Sequence, residues 1–172
     1  LTIIGKPFTA LESDSTQLDI VRRYGSKVQY GDAARRDMLH AAGADPAKIF
    51  VLAISDLEQS LSIAEAVKRH FPHLTIIARA RNRRHAHKLM ELGVEHIFRE
   101  TLLSILAMTE LVLTTLGLSA DAAKHMVGSF GERDSRLLRE QNAIHDSEEK
   151  LIQSVQDTAD ELATLLRQDT GR

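Results

Sequence analysis

Short apolar runs alternate with polar stretches punctuated by glycine along the first two thirds of the chain. Phe8 to Leu11, Lys27 to Tyr30, Ile49 to Ile54, Leu74 to Ala78 and Val94 to Phe98 each read as a strand. Between them the spacing turns helical. Leu18, Val21 and Tyr24 share a face before Gly25, and Met38 and Leu39 precede Gly43. Leu57, Leu61, Ala64, Val67 and Phe71 precede Pro72, KLMEL runs to Gly93, and an amphipathic pattern from Leu102 to Leu116 stops at Gly117. Glycine at these points suits the left-handed residue that closes a helix. Residues 1 to 7 read either as a strand or as the last turn of a helix stopped by Gly5, and the second reading leaves Phe8 to Leu11 as a clean strand. Strands and helices alternating every roughly 20 to 25 residues predict a parallel sheet with helices on its faces. The expectation is an α/β, Rossmann-like doubly wound domain over 1–117, with the Leu74 to Ala78 strand buried on both faces.

Residues 118–172 read as a helical extension. Ser119 caps a short segment to Val127, Gly128 and Gly131 mark a bend, and Asp134 or Ser135 opens a long helix toward Arg167. Its apolar positions, from Leu137 and Leu138 through Ile144, Leu151, Ile152, Val155, Ala159, Leu162 and Leu166, recur at three- and four-residue steps. Such a stripe packs either on the domain or on a second copy.

Composition narrows the function. The chain has 172 residues, 43% of them apolar, and a net charge of −2, enough for one core and an appendage and unlike a general nucleic-acid binder. It contains no cysteine, which excludes disulfides, thiolate metal sites and thiol catalysis. No apolar run reaches the roughly 18 to 20 residues that span a bilayer, and no signal peptide is visible. The pattern starts in mid-element at Leu1, as in a piece of something longer.

One stretch departs from the neutral balance. The Leu74 strand exits as RARNRRHAHK, with five positive charges and two histidines from Arg79 to Lys88, expected to lie outside the core as a ligand or partner surface. The bland alternative is a solvated helix start with Arg79 or Arg99 paired to Glu100. The functional one is an anionic small ligand held by an arginine fork. His85 and His87 stand two apart on a helix and face different ways, so no metal is assigned.

In open parallel sheets ligands bind at the carboxyl ends of the strands. The exits here are Glu12-Ser13-Asp14, Gly31-Asp32-Ala33, Ser55-Asp56 and Arg79 to Asn82. Glu12 is placed for ribose hydroxyls, and the small residues around Asp32 would let an adenine ring lie close, although each acid is also an ordinary helix cap. A G-x-G-x-x-G loop belongs about 20 residues before such an acid, which falls ahead of Leu1. Either the first strand and that loop are missing from the chain, or this is not a dinucleotide domain. An NAD-dependent oxidoreductase fragment would need an acid or base at the nicotinamide, and neither Tyr24 nor Tyr30 has a fitting partner. A phosphorelay receiver could use Asp56 as phosphoacceptor but would want a lysine where Arg79 stands. A nucleic-acid module would want aromatic residues interleaved with the basic run. No catalytic residue is assigned.

The runs YGSKVQYGDAARRDMLHAAGADPAKIFVLAISD and HFPHLTIIARARNRRHAHKLMELGVEHIFRET closely resemble the cytoplasmic regulatory domain of Kef-type glutathione-regulated potassium efflux antiporters, within the RCK or KTN class. The resemblance is dense over 1–118 and looser over the tail. It implies a Rossmann-like domain that forms a homodimer and binds NAD(H) or AMP. It further implies glutathione as regulatory ligand, with bulky adducts opening the attached antiporter. The nucleotide positions would be Glu12, Asp32, Ala33 and Ala53, and the glutathione positions Arg79, Phe130 and Asp134, the last facing an amino group. The implied setting is the cytoplasmic face of the bacterial inner membrane, downstream of a membrane antiporter domain and beside an ancillary oxidoreductase subunit. The chain departs from the family in lacking both the glycine-rich loop and the transporter.

Overall fold

The computed structural model describes residues 7–16, 18 and 28–143. They belong to two compact units. Of these residues, the first takes those up to Arg81 together with Lys88–Phe98, and the second takes Asn82–His87 together with 99–143.

In the first unit β1 (Ala10–Glu12) pairs in parallel with β2 (Val28–Tyr30), Leu11 opposite Gln29. Strand β3 (Ile49–Leu52) pairs in parallel with β4 (Thr75–Ala80), Val51 opposite Ile77, and β5 (His96–Arg99) lies on the other side of β4. All five expected strands are present, as two parallel pieces, β1-β2 and β3-β4-β5. The doubly wound α/β class stands. The expected burial of β4 on both faces does not. Ile76, Ala78 and Ala80 are buried while Thr75 is exposed, and on β3 Leu52 is buried while Ile49 and Val51 are exposed. A continuous apolar run offers two faces but does not say how far each is covered, and here the second face of β4 is only partly covered, with Ile77 and Arg79 half-buried.

Helix α1 (Arg36–Ala41) buries Leu39 and closes at Gly43, whose φ of +86° requires the missing side chain. Helix α2 (Leu57–His70) begins at Asp56, whose carboxylate accepts from the Gln59 N–H at 2.8 Å. It buries Ser60, Ile63, Ala64 and Val67, with Phe71 just beyond. Helix α3 (Arg83–Glu91) ends before Gly93, and the Lys68 ammonium donates to the Gly93 carbonyl at 2.8 Å.

The second unit is built on α4 (Leu102–Thr115), α5 (Ala120–Glu140) and a 3-10 turn at Gln141–Ala143. The sequence pattern promises an amphipathic α4, yet none of its residues is buried, and Leu103, Ile105, Met108, Leu111 and Val112 are all exposed. The expected bend at Gly128 and Gly131 is also absent. Ser119 caps α5 by accepting from the Ala122 N–H at 3.2 Å, and the helix then runs unbroken through both glycines. Glycine in a helix interior costs about 1 kcal/mol relative to alanine. At Gly131 close packing offsets that cost, since an added Cβ would lie 3.1 Å from Leu106 Cδ1. Asp134 and Ser135 therefore lie inside α5 rather than opening a helix, and the Ser135 hydroxyl donates to the Gly131 carbonyl. Of the expected Leu18-Val21-Tyr24 helix only Leu18 is described, and it is buried; the apolar stripe from Ile144 to Leu166 lies outside the described residues. No helix among the described residues is long and apolar enough to cross a membrane.

Two glycines make opposite predictions. Gly43→Ala forces a side chain into the left-handed region and should lower stability by about 1 kcal/mol. Gly128 is exposed on α5 and an added Cβ would meet open space, so Gly128→Ala should raise stability by roughly 0.5 to 1 kcal/mol. Urea denaturation of both variants measures the two signs.

Candidate functional site

The strand exits of the first unit are turned by their own side chains. Glu12 Oε1 accepts from the Asp14 N–H at 2.9 Å, and Asp14 Oδ1 accepts from Thr16 N–H at 2.8 Å. Asp32 Oδ1 accepts from Ala34 N–H at 2.9 Å. The Gly31 N–H donates to the Glu12 carbonyl at 3.0 Å, which ties the β2 exit to the β1 exit and brings Glu12, Asp32 and Ala33 into one neighbourhood. Each acid spends one oxygen on its turn. The second oxygen of Glu12 and of Asp32 has no hydrogen-bond partner among the described residues. Gly31 is buried, and a Cβ there would run into the end of the Met38 side chain, so the backbone passes close beneath that methionine.

Ala53 follows β3, and its carbonyl is held. Arg79 Nη2 donates to the Ala53 carbonyl at 2.8 Å and to Ser55 Oγ at 2.6 Å, linking the exits of β3 and β4. The arginine expected to meet a ligand carboxylate is thus half-buried and already bonded to the protein, and its guanidinium marks the edge without standing free on it. Asp56, the phosphoacceptor of the receiver alternative, serves as the cap of α2.

The basic run is not all surface. His85 and His87 are 0% and 2% exposed, which corrects the expectation that this stretch stays out of the core. Imidazole is apolar enough to bury once its polar atoms are met, and His87 Nε2 bonds the Leu138 carbonyl at 3.1 Å. The pairing of Arg99 with Glu100 is likewise replaced. In the second unit Asp134 stands between two guanidinium groups: Arg83 Nη2 donates to Oδ1 at 2.6 Å, and Arg99 pairs with Oδ2. Arg83 Nη1 also donates to Gln141 Oε1 at 2.9 Å. Burial pulls the Arg83 guanidinium below its ordinary pKa; at Arg99 burial does the same, helped by the charge of Arg83. Phe130 is half-exposed one turn before Asp134 on α5, so the two share a face. Sequence reasoning singled out Asp134 but missed Arg83, Arg99 and Gln141 as its surroundings. Arg83 and Asp134 are 51 residues apart, and no periodicity reports such a pair.

A model of the TrkA-N domain matches residues 1–100, and a model of the potassium efflux system KefB C-terminal domain matches residues 104–172. The Kef C-terminal domain of Shewanella denitrificans, solved in an AMP-bound form, is 33% identical over 80% of this chain and 98% of its own, with a TM-score of 0.69. This chain belongs to the Kef C-terminal, TrkA-N family. The TrkA-N domain of the Escherichia coli inner membrane protein ybaL is 24% identical over 64% of this chain and 82% of its own at a TM-score of 0.57. An NAD(P)-binding domain from Archaeoglobus fulgidus, of an exopolyphosphatase-related protein, is 15% identical over 66% of this chain and 84% of its own at the same score. These two show the fold. In Kef terms, Glu12, Asp32, Ala33, Ala53 and Arg79 fall within the TrkA-N match, and Phe130 and Asp134 within the KefB C-terminal match. The chain is the regulatory domain of a potassium efflux system.

Asp134 is 15% exposed beside two cations, so its loss leaves them facing each other with reduced access to water. Asp134→Asn should destabilise the Kef chain by about 1 to 3 kcal/mol, measured by chemical denaturation.

Proposed function

We propose that this chain senses ligands for a potassium efflux system working by K+/H+ antiport, binding an adenine nucleotide in its first unit and glutathione or its adducts as regulatory ligand. The observation that carries the nucleotide part is the joined β1 and β2 exits. Two carboxylates, Glu12 and Asp32, each keep an oxygen without a hydrogen-bond partner among the described residues, beside a glycine packed close under Met38. A carboxylate oxygen of this kind accepts from ribose hydroxyls, and Asp32 can accept from an adenine amino group. Ala33 and Ala53 supply small side chains for the flat ring. AMP and NAD(H) both offer these groups, and the AMP-bound Shewanella relative supports the first.

For glutathione, Arg79 is the carboxylate partner assigned within the first unit, and Phe130 and Asp134, within the second, are separate candidate positions. The exposed Ile105, Met108, Leu111 and Val112, which fall on one side of α4, support a homodimer, because four large apolar side chains exposed on one helix face call for a partner surface. The domain works at the cytoplasmic face of the bacterial inner membrane, joined to an upstream antiporter domain, with an ancillary oxidoreductase subunit as further partner. No catalytic step belongs to it.

Thermal melts of this chain with AMP, NADH, glutathione and a bulky glutathione adduct test the reading. Bound nucleotide at a hundredfold excess over its Kd should add about 2.7 kcal/mol of stability. Glu12→Ala should remove most of that gain, and an unshifted melt with both nucleotides overturns the nucleotide assignment. Arg79→Ala should weaken glutathione roughly 2- to 10-fold by calorimetry, the worth of exchanging one hydrogen-bonding arrangement for another. Unchanged affinity takes Arg79 out of the site.

A further inference from the structure

The half of α3 that belongs to the second unit is tied to the end of α5 at three points. Arg83 donates to Asp134 and to Gln141, and one turn further along His87 Nε2 bonds the Leu138 carbonyl at 3.1 Å. Leu138 lies in the last turn of α5, where carbonyls outnumber the helix's own donors, so the imidazole serves as a cap supplied from another element. Of the three ties this is the one whose donor ordinarily changes charge between about pH 5 and 8. A carbonyl only accepts, so Nε2 carries a proton, and a second one would go to Nδ1. His87 is 2% exposed. The charged groups bordering it are Arg83 and Arg84 one turn back on α3 and Glu91 one turn on, the last paired with Lys88. From α5 they are Arg139, exposed beside Leu138, and Asp134 one turn back, which Arg83 and Arg99 of β5 already share. His85, two residues away on α3, is buried as well. Two effects compete once the ring is protonated. The dipole of α5 favours a cation at its carboxyl end by at most about thirtyfold. Enclosing a full charge costs about a hundredfold or more, in a setting where burial already works against the charged forms of Arg83 and Arg99. Enclosure wins.

We propose that His87 is a proton-released clasp: neutral, it holds α3 to the last turn of α5, and protonated, it lets go of the Leu138 carbonyl. The inference deepens the sensor reading, on which it rests for its purpose, by making the proton a second regulatory ligand. A domain that governs K+/H+ antiport then answers to an ion that the antiport moves. The clasp needs neither Arg79 nor the nucleotide.

The test uses the 172-residue chain without ligand. NMR of selectively labelled histidine and leucine follows the His87 ring and the Leu138 carbonyl as the pH falls from about 7.5 to about 5.5, across the range of a free imidazole. The Leu138 carbonyl carbon should move upfield, toward an unbonded carbonyl, as the His87 ring takes up its proton. His87→Gln keeps a neutral N–H donor and should leave the Leu138 signal still. Urea unfolding supplies the second readout. The unfolded chain takes up the proton more readily than the folded one, so stability is full above the imidazole range and is lost as the pH falls through it. Over that interval the wild type should lose roughly tenfold in its folded-to-unfolded ratio relative to His87→Gln. If the Gln variant does not fold, the wild-type NMR titration alone decides. A ring already charged at about pH 7.5, a Leu138 carbonyl that stays put or moves downfield, or parallel unfolding profiles for the two chains overturns the proposal. No ligand enters the test, so flat melts with AMP, NADH and glutathione would sink the sensor reading and leave this result intact.

Discussion

A strand that ends at the carboxyl edge of a sheet releases backbone N–H groups that the ladder no longer pairs, and this chain answers that constraint in the same way four times. After β1, Glu12 takes the Asp14 N–H and Asp14 the Thr16 N–H; after β2, Asp32 takes that of Ala34. After β3, Asp56 takes the Gln59 N–H, and after β4, Asn82 Oδ1 takes that of His85 at 2.9 Å. A short side chain with an oxygen two or three residues before the freed donor is the cheapest local solution, and it starts a helix at once. The consequence is functional. The groups that close the turns are acids and amides, so the edge where ligands bind is lined with acceptors before any ligand-specific residue is added. A site for ribose hydroxyls and amino groups needs little beyond the second oxygen of each acid.

The basic run after β4 faces the reverse problem, a surplus of donors. Arg81 and Arg84 stay exposed and Lys88 pairs with Glu91, while the rest meet three fates. Arg79 is spent on backbone and hydroxyl oxygens at the neighbouring exit, Arg83 on Asp134 and Gln141, and the histidines are carried inside. Desolvating a guanidinium costs several kcal/mol unless acceptors replace the water, which is why each half-buried arginine here is found against an oxygen. Net charge near neutrality hides all of this, because it counts charges without saying which are shared.

Much of the fold was legible because it rests on local rules. Strand runs, helix stops at Gly43, Gly93 and Gly117, and caps at Asp56 and Ser119 are each decided within a few residues, and all are found. The misreadings share a cause. A bend at Gly128 and Gly131 is a local inference, overturned by a distant contact, Leu106 against Gly131. His85 and His87 are polar by composition but buried by position, and the apolar runs of β3 and β4 leave Ile49 and Val51 exposed and Ile77 only half-buried. The candidate site divides along the same line. Glu12 and Asp32 could be singled out because a strand exit fixes their neighbourhood, whereas the partners of Asp134 come from α3 and β5 and leave no trace in spacing.

Pre-engaged arginines also bear on how such a domain could respond to a ligand. A ligand can shift a conformational equilibrium only by the difference in its affinity for the two states. When it meets an arginine free in water, the full strength of the charged hydrogen bond goes into affinity, and both states are bound nearly alike if the arginine is free in both. An arginine already bonded to the protein, as Arg79 is to Ala53 and Ser55, gives up an internal contact for each new one it makes. Affinity is then modest, about the 0.5 to 1.5 kcal/mol that separates one hydrogen-bonding arrangement from another. The bonds given up, however, are the ones by which Arg79 on β4 holds the exit of β3, so the exchange acts on the tie between two strands. Weak binding with a large structural lever is the combination a reversible sensor requires, and a fully solvated arginine could not provide it.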